Sequence, residues 1–416
     1  MTMNRRQVFT AGAGAMLAAT PVFAVERRGA GAAPAGRMRS AADFGAAGDG
    51  QTDDTAALQS GLDATFKDPD GGVLEIPAGI YRVSRTLTVS RETNIVCESG
   101  IIGRGAVFAS LIEDGTPVIE FESRAIVRFV RIEGLQIQGR GREGHGLSIK
   151  SEHRGNAFYN FCLRDIVVQG CGGDGCHIVG NVFEGQIFNS YFRDNKGNGV
   201  TFSHGPENTG VSAVHVFGCV FGGNGVHGAE LMKGVQDADF HGCYFLLNKK
   251  FGMVATYGCT LLSNCGFENN HAGAPDFQHG DAGLLLETFG TLVGCTSYSI
   301  YHQTHLVRTF ITNNLVMVGC NGYGSGDAKA AKLAKLDGKP GAAITTVGCW
   351  GGIEQSEKIQ ALIIGQGGAG VRFGSRWNDA TLPQLGEYRL WVDGSGRLRM
   401  KKGNPESDAD GRIIGT

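Results

Sequence analysis

The chain has 416 residues, a formal net charge of -2 and 42% hydrophobic residues, which suffices for one large domain or two ordinary ones. The near-neutral charge argues against a nucleic-acid partner. Glycine is the outlier, with 67 residues against 10 prolines, a composition typical of many tight turns between short strands and not of disorder.

The first 24 residues have the pattern of a signal peptide. Arg5 and Arg6 precede a short apolar run that ends in the cleavage-like sequence Val22-Phe23-Ala24. The paired arginines resemble a twin-arginine export signal, and the apolar run is too short to span a bilayer comfortably. We predict an exported protein, periplasmic or extracellular, with no stable membrane span after processing. An uncleaved anchor is the alternative, and residues 25–40 are predicted to be a linker.

The next segment, residues 41–66, combines a glycine-rich turn with a predicted helix. Thr52, Asp53 and Asp54 lie where the helix should start, because their side chains can cap free amides and their charge suits the helix dipole. Asp49 lies in the tight turn before them. Apolar residues follow at helical spacing, namely Ala57, Leu58, Leu62 and Phe66.

A repeat then occupies the middle of the chain. Nine short segments share one pattern and are separated by 22 to 31 residues. Their shared anchor positions are Leu135, Ile166, Ser190, Cys219, Cys243, Cys265, Cys295, Cys320 and Cys349. A unit of this length, with several short β-runs and no helical period, is typical of one coil of a solenoid.

Period-2 alternation places the anchors inside the coil. The anchor cysteines are therefore predicted to form a ladder of reduced, buried side chains. Asparagines recur five positions after four of the anchors and predict a second ladder at a turn; they are Asn195, Asn224, Asn248 and Asn270. The alternative for the other cysteines is one or two disulfides, among Cys97, Cys162, Cys171, Cys176 and Cys259.

These patterns predict an all-β fold, a single-stranded right-handed parallel β-helix of about nine or ten coils with an N-terminal capping helix. The cap and first coils should span residues 41–100, the β-helix 101–355, and C-terminal strands or a cap 356–416. The C-terminal end contains two strand-like runs around "DGSG", which favours either a cap or self-association into an oligomer.

The segment from Ala41 to Val83 resembles the opening of the pectate-lyase-like superfamily. The resemblance rests on "ADFGAAGDGQTDDTAALQSGLDA" and on "GGVLEIPAGIYRV" after it. The superfamily includes rhamnogalacturonase-type and epimerase-type β-helix proteins and phage tailspike-like relatives. The resemblance implies an N-terminal cap, a structural role for Asp49, Asp53 and Asp54, and sites on an outward face. It points to a fold more than to a reaction.

Outward columns follow from the anchors. Four positions before them lie Gln186, His215 and Asp239, so His215 and Asp239 should be about 5 Å apart on adjacent coils, close enough for proton transfer. A solvated surface pair is the alternative. The catalytic candidates from the outward columns are His215, Asp237, Asp239, Glu184 and Glu230.

The substrate-binding candidates are Tyr191, Arg193, Tyr244 and His177. Aromatic rings can stack on sugars, and a guanidinium can bind a uronate carboxylate. His177 and Glu230 should be two coils apart, about 10 Å, which is on the order of the carboxyl gap of an inverting hydrolase. We expect no cofactor. The possible ligands for a divalent cation such as calcium lie in one enlarged loop, and their irregular spacing gives such a site no specific support; they are His271, Asp276, His279 and Asp281.

The predicted function is that of an exported carbohydrate-active enzyme acting on a polysaccharide. A lyase would use His215 as base, Tyr244 as acid and Arg193 to neutralise a carboxylate. A glycoside hydrolase would use carboxylates among Asp237, Asp239, Glu184 and Glu230. The alternative is a non-catalytic glycan-binding or surface-assembly protein.

Overall fold

The structure is a computed structural model. It describes residues 38–91, 98–153, 155–206, 209–256, 259–270, 282–287, 289–299, 305–311, 314–324, 332–338, 343–355, 360–366, 369–373, 384–385 and 388–414. The predicted signal peptide, most of the predicted linker, Cys97 and the loop from His271 to Asp281 lie outside these ranges. None of the described helices is long and apolar enough to cross a membrane.

Three long sheets are wound so that successive strands of the chain enter the first, second and third sheet in turn. The first sheet comprises Met38–Ser40, Gly72–Ile76, Ser99–Gly103, Ile126–Arg128, Val130–Glu133, Ala157–Tyr159, Cys162–Arg164, Val182–Phe183, Gln186–Phe188, Val211–Phe217, Gln236–His241, Cys259–Ser263, Gly290–Val293, Asn314–Val318, Ala343–Val347, Gln360–Gln366 and Ala369–Phe373.

The second sheet comprises Asp49–Asp53, Gly79–Val83, Ala106–Ser110, Gln136–Gln138, Val167–Gln169, Tyr191–Arg193, Val220–Gly222, Tyr244–Leu246, Gly266–Glu268, Thr296–Ser299 and Asn321–Gly324. The third sheet comprises Leu87–Arg91, Ile119–Ser123, Leu147–Ser151, Cys176–Gly180, Val200–Ser203, Ala229–Leu231, Met253–Ala255, Ala282–Leu286, His305–Ile311, Lys332–Gly338 and Gly352–Gln355.

The predicted right-handed parallel β-helix is confirmed. Neighbouring strands of the three sheets pair in parallel, except that Ala369–Phe373 pairs antiparallel with Gln360–Gln366. The second and third sheets each have 11 strands among the described residues, slightly more than the predicted nine or ten coils. The difference arises because the cap segment itself supplies strands, such as Asp49–Asp53 and Gly79–Val83.

The N-terminal end is covered by a 3-10 helix, Ala41–Phe44, and an α-helix, Thr55–Phe66. Leu58, Leu62 and Phe66 are buried in the main core, and the Phe66 ring meets Phe121 edge-on at 5.6 Å. Burial of these apolar side chains closes the open end of the solenoid, as the sequence predicted.

Of the two aspartates predicted to cap the helix, only Asp53 bonds to a helix amide. Asp53 accepts a hydrogen bond from the Thr55 backbone N–H at 3.0 Å, as a capping side chain should. Asp54 is the residue before the helix, but its carboxylate accepts instead from the N–H groups of Ala47 and Gly48, at 2.6 and 3.2 Å. It therefore ties the glycine-rich turn to the helix. Hydrogen bonds from Thr52 and Gln51 hold the pKa of Asp49 below its usual value.

The cysteine ladder is confirmed for the six anchor cysteines, which are free and buried. Cys171 and Cys176 are also free and buried, and Cys162 is free and half-buried. Burial raises the pKa of the Cys243 thiol to about 12, and contact with Cys243 does the same for Cys265. Such thiols are unreactive, because the thiolate is the nucleophile.

The asparagine ladder is also present. The Asn195 side-chain amide donates to Asn224 Oδ1 at 3.1 Å, Asn224 donates to Asn248 at 2.9 Å, and Asn248 donates to Asn270 at 2.8 Å. Phenylalanines stack beside this ladder with ring centroids 4.8 to 5.5 Å apart, namely Phe192, Phe221, Phe245 and Phe267. Polar and aromatic ladders of this kind fix the register between coils.

A single left-handed residue turns each coil from the first sheet into the second. From Gly134 onward, these corner residues have φ between 43° and 69° and are Gly134, Asp165, Asn189, Gly218, Gly242, Asn264, Gly294, Gly319 and Gly348. A second left-handed column bends the first sheet itself and contains Asn160, Glu184, Ala213 and Asp237, with φ between 52° and 57°. This bend divides the outer face of the first sheet into two panels.

The C-terminal segment forms a separate four-stranded antiparallel sheet of Gln384–Leu385, Tyr388–Val392, Leu398–Lys402 and Arg412–Ile413. The two central strands are the runs predicted on either side of "DGSG". Trp391 is fully buried and donates from its indole to the Asp408 carbonyl at 3.0 Å. Whether this sheet acts as a cap or as a self-association element stays a prediction.

Candidate functional site

The pair His215 and Asp239 lies on the outer face of the first sheet. The two residues are direct register partners on adjacent strands. His215 Nδ1 lies 3.2 Å from Asp239 Oδ2, and the two side chains are 39% and 20% exposed. The predicted proximity is therefore confirmed, and the imidazole is accessible from solvent.

His215 Nδ1 faces the Asp239 carboxylate across 3.2 Å. An imidazole that carries its proton on Nδ1 leaves Nε2 as the acceptor that a general base requires. Asp239 Oδ1 is buried and has no hydrogen-bond partner among the described residues. A buried carboxylate oxygen without a partner is costly, and such groups in native structures call for an explanation such as catalysis.

An aromatic column lies beside this pair. Phe188, Phe217 and His241 are half-buried on the same outer face, and their rings stack in sequence with centroids 5.0 Å apart in both steps. The Arg164 guanidinium covers Phe188 at 5.0 Å, and His241 Nδ1 contacts the Ser263 hydroxyl at 2.7 Å. The sequence analysis missed this column, although its members recur two positions before the anchors.

The other panel of the face, across the bend, holds a pocket of about 410 Å³. Its described lining consists of Asn181, Phe183, His204, Thr209, Gly210, Val211, Ser212, Lys233, Gly234 and Gln236. Phe183 also packs against Tyr159 at 5.2 Å between centroids, and the Arg128 guanidinium covers Tyr159 at 4.4 Å. The lining thus combines an aromatic ring, amides, hydroxyls and a lysine.

Glu184 and Asp237 lie on the left-handed bend between the two panels. Both are exposed, and Glu184 accepts a hydrogen bond from the Asn160 amide at 2.8 Å. Ala213 lies between them in the column, so their backbones are about 10 Å apart. Asp237 lies two positions before Asp239, and Glu184 is level with Ala213, two positions before His215, so neither carboxylate shares the column of His215 and Asp239.

Tyr191, Arg193 and Tyr244 belong to the second sheet, on the other side of the corner at Gly218 and Gly242. The Tyr244 hydroxyl donates to Glu268, and burial together with Glu268 raises the pKa of Tyr244 to about 12. Arg193 donates to the Gln169 side chain at 3.0 Å. The structure does not bring Tyr244 or Arg193 onto the sheet of His215, which weakens their predicted roles as its acid and cation.

His177 and Glu230 lie on the third sheet, with Thr201 between them in register. His177 contacts the Ser203 hydroxyl through Nε2 at 2.8 Å and His145 through Nδ1 at 3.1 Å. Burial lowers the pKa of His177; His145 lowers it further, and Asp174 opposes the shift. Glu230 accepts from the Asn198 amide at 2.7 Å.

His145, Asp174 and His177 are close enough together to hold a metal ion. Their ligand atoms, however, already bond from coil to coil. The Asp174 N–H donates to His145 Nδ1 at 3.0 Å, and the Asn198 N–H donates to Asp174 Oδ1 at 2.7 Å. The pattern continues on the next two coils, where the His227 N–H donates to the Asn198 side chain and the Phe251 N–H donates to the His227 side chain. A metal-bound imidazole donates its second nitrogen, whereas His145 Nδ1 accepts, so this cluster fits a structural clamp better than a metal site.

Family models cover most of the described chain. A rhamnogalacturonase A/epimerase, pectate lyase-like model matches residues 38–108, a right-handed β-helix model matches 118–315, and a capsule depolymerase model matches 338–416. The chain has the fold of a right-handed parallel β-helix protein, and its residues 38–108 are similar to the pectate lyase-like family, as the resemblance of the N-terminal segment implied.

Individual relatives agree with this class. Alginate lyase 7 of Azotobacter vinelandii is 57% identical over 42 residues, which is 10% of this chain and 5% of that protein. The chain thus spans about one-twentieth of the length of this curated relative.

Two solved structures share the fold. ORF18 of Geobacillus virus E2 superposes with a TM-score of 0.63 at 19% identity, over 89% of this chain and 69% of that one. The enzymatically active domain of tailspike protein 2 of bacteriophage CBA120 does so with a TM-score of 0.57 at 12% identity, over 88% and 58%.

Proposed function

We propose that this protein is an exported polysaccharide-cleaving enzyme, and that His215, oriented by Asp239, is the general base of an elimination reaction on the outer face of the first sheet. The observation that carries the proposal is the 3.2 Å contact between His215 Nδ1 and Asp239 Oδ2, with the imidazole accessible and one Asp239 oxygen buried without a described partner.

In this proposal, His215 Nε2 takes the proton from the carbon beside the carboxylate of a uronate residue. The electron pair forms a carbon–carbon double bond, and the glycosidic carbon–oxygen bond breaks. Asp239 stabilises the imidazolium that results, because an opposite charge within hydrogen-bond distance favours the charged form. General bases of this kind contribute about 10²–10⁴-fold to the rate.

The departing oxygen needs a proton. His241 in its imidazolium form is the proposed donor, and it becomes a neutral imidazole when it gives up its proton. It follows Asp239 by two positions on the same strand, lies on the same outer face and contacts the Ser263 hydroxyl through Nδ1. The stacked rings of Phe188 and Phe217 offer apolar surface to sugar faces, which aromatic side chains bind well.

The comparisons support a polysaccharide substrate without deciding the reaction. The names of an alginate lyase and of a capsule depolymerase model both refer to polysaccharide breakdown, but each match covers a small part of this chain. Export is proposed from the signal-like residues 1–24, and a polymeric substrate outside the cell would require it.

A glycoside hydrolase is the second candidate, and Glu184 and Asp237 favour it. Both carboxylates are exposed on the bend, about 10 Å apart by backbone spacing, which is close to the gap of about 6.5–9.5 Å in inverting enzymes. Their position between the pocket and the His215–Asp239 pair would also place them along a bound polymer.

The test uses the full chain and a panel of uronate and neutral polysaccharides. Unsaturated product is followed by its ultraviolet absorbance and total cleavage by reducing ends. We expect unsaturated product from a uronate polymer, and a loss of about 10²–10⁴-fold in kcat for His215→Ala and for Asp239→Asn. His153→Ala, which removes an exposed histidine elsewhere, is the matched control.

The other outcomes identify the rivals. Reducing ends without unsaturated product, abolished by Glu184→Gln or Asp237→Asn, would establish the hydrolase and refute elimination. Retention of a polymer in affinity electrophoresis with no product of either kind would establish a binding protein.

A further inference from the structure

The pocket beside the bend has a lining suited to an acidic ligand. Among its described lining residues, Lys233 carries a positive charge, His204 is a second potential cation, and no lining residue is a carboxylate. Both side chains are exposed, so they can be reached without unfolding. An anionic group entering this pocket would therefore meet a cation in the described lining, while the exposed carboxylates of Glu184 and Asp237 lie on the bend beside it.

The rest of the lining suits a sugar. Phe183 offers a half-buried ring, and Gln236 and Ser212 offer an amide and a hydroxyl that can both donate and accept hydrogen bonds. The Asn181 amide already donates to the Asn156 carbonyl and the Thr209 hydroxyl to the Pro206 carbonyl, so these two side chains offer acceptor oxygens. A volume of about 410 Å³ lies in the range of small-molecule sites, about 300–1,000 Å³. Amphipathic rings and convergent polar groups are the usual means of binding carbohydrates.

The position of the pocket connects it to the proposed reaction centre. Ser212 lies on the strand of His215, and Gln236 lies on the strand of Asp239, each three positions earlier. Three strand positions correspond to about 10 Å. A polymer bound with one residue at His215 can therefore extend across the bend and place a later residue in the pocket.

We infer that this pocket is a binding subsite for an acidic sugar residue of the substrate polymer, with Lys233 as the group that recognises the carboxylate. The inference rests on the proposed function for its substrate, and it adds the chemical class of sugar that the subsite selects. Lys233 is a positioning residue in this arrangement, because the bond that breaks lies at His215.

Binding is tested separately from catalysis. The ligands are a short oligouronate and the neutral oligosaccharide of the same length and linkage, titrated into the full chain by calorimetry. The wild type and His215→Ala should both bind the oligouronate, and both should prefer it to the neutral oligosaccharide by at least about 10-fold.

Lys233→Met keeps the length of the side chain and removes its charge. We expect it to weaken oligouronate binding by about 10-fold or more and to leave binding of the neutral oligosaccharide within about 2-fold; each 10-fold corresponds to about 1.4 kcal/mol. Lys233→Arg should restore most of the affinity. Lys249→Met, at an exposed lysine on a different turn, is the matched control.

The kinetic readout should agree. If a uronate polymer is cleaved, Lys233→Met should raise KM and leave kcat within about 2-fold, because it removes binding common to the ground state and the transition state. Oligouronate binding that is unchanged in Lys233→Met, or that shows no preference over the neutral sugar, would overturn the inference. Binding that depends on Lys233, in a protein without lyase activity, would uphold the subsite and refute the proposed reaction.

Discussion

The asparagine ladder should carry a measurable part of the stability of the central coils, and Asn224 is the residue that tests it. Its side chain is fully buried and forms four hydrogen bonds: it accepts from the backbone and the amide of Asn195, and it donates to the Phe192 carbonyl and to Asn248 Oδ1. Substitution by alanine removes all four.

The magnitude follows from that count. At about 1 kcal/mol net for each bond, Asn224→Ala should lower the free energy of unfolding by about 4 kcal/mol, and buried partners left without a bond add to the cost. Asn224→Asp has nearly the same volume, but it turns the donor into an acceptor facing two oxygens and buries a charge. We expect it to cost at least as much as alanine.

The assay is urea unfolding at 25 °C, followed by far-ultraviolet circular dichroism, with wild type, both Asn224 variants and Lys249→Ala as the control. Lys249 is exposed on the neighbouring turn, and its loss should change the free energy of unfolding by less than about 0.5 kcal/mol. A cost below about 1 kcal/mol for Asn224→Ala, with unchanged dependence on urea, would refute the claim that the ladder stabilises the stack.

Three further predictions concern other parts of the scaffold. At Gly218, φ is +60° and an added Cβ would meet nothing within 4 Å, so a substitution there is penalised only through the left-handed backbone. Because asparagine tolerates that conformation better than valine does, Gly218→Val should lower the thermal midpoint more than Gly218→Asn; equal midpoints would contradict this. The thiols of Cys219 and Cys243 should resist alkylation at pH 8 in the native protein and react in urea, as mass spectrometry can map, since both are buried; rapid native labelling would contradict the buried ladder. Hydrogen bonds from Arg399 hold the pKa of Asp393 below its usual range, so the C-terminal sheet should be stable above about pH 4 and lose stability as the pH falls further. The fluorescence of Trp391, in a variant without the other two tryptophans, should report this transition. Asp393→Asn should reduce the pH dependence, and Asp410 should account for the remainder, because a hydrogen bond from Lys401 lowers its pKa as well.

The fold was predictable because its inner ladders repeat at regular intervals in the sequence. The spacing of Cys219, Cys243 and Cys265 fixes the register of the first and second sheets, and the contact between His215 and Asp239 follows from that register alone. The capping helix was predictable for a different reason, since apolar residues at helical spacing have one plausible use at the open end of a solenoid.

The rest depended on backbone features that counting positions does not show. Ala213 and Asp237 adopt left-handed conformations, so the period-2 rule fails across them, and residues predicted for one outward face were divided between two panels. The turn before the third sheet varies in length from coil to coil. The hydrogen bond from the Asp174 N–H to His145 therefore could not be predicted by counting positions from the anchors. The partner of Tyr244 was likewise missed, because Glu268 lies on the next coil, 24 residues away.

The bend in the first sheet explains how a regular stack can hold an irregular site. Stacked strands present columns of side chains about 4.8 Å apart. Such columns suit a repeating polymer, but their side chains face the same way on every coil. Left-handed residues at Glu184, Ala213 and Asp237 tilt one panel against the other, and they do so on consecutive coils. The pocket with Lys233 then lies on one side of the bend and the His215–Asp239 pair on the other. A polymer lying across both panels must change direction at the bend, two strand positions before it reaches the proposed reaction centre at His215 and Asp239.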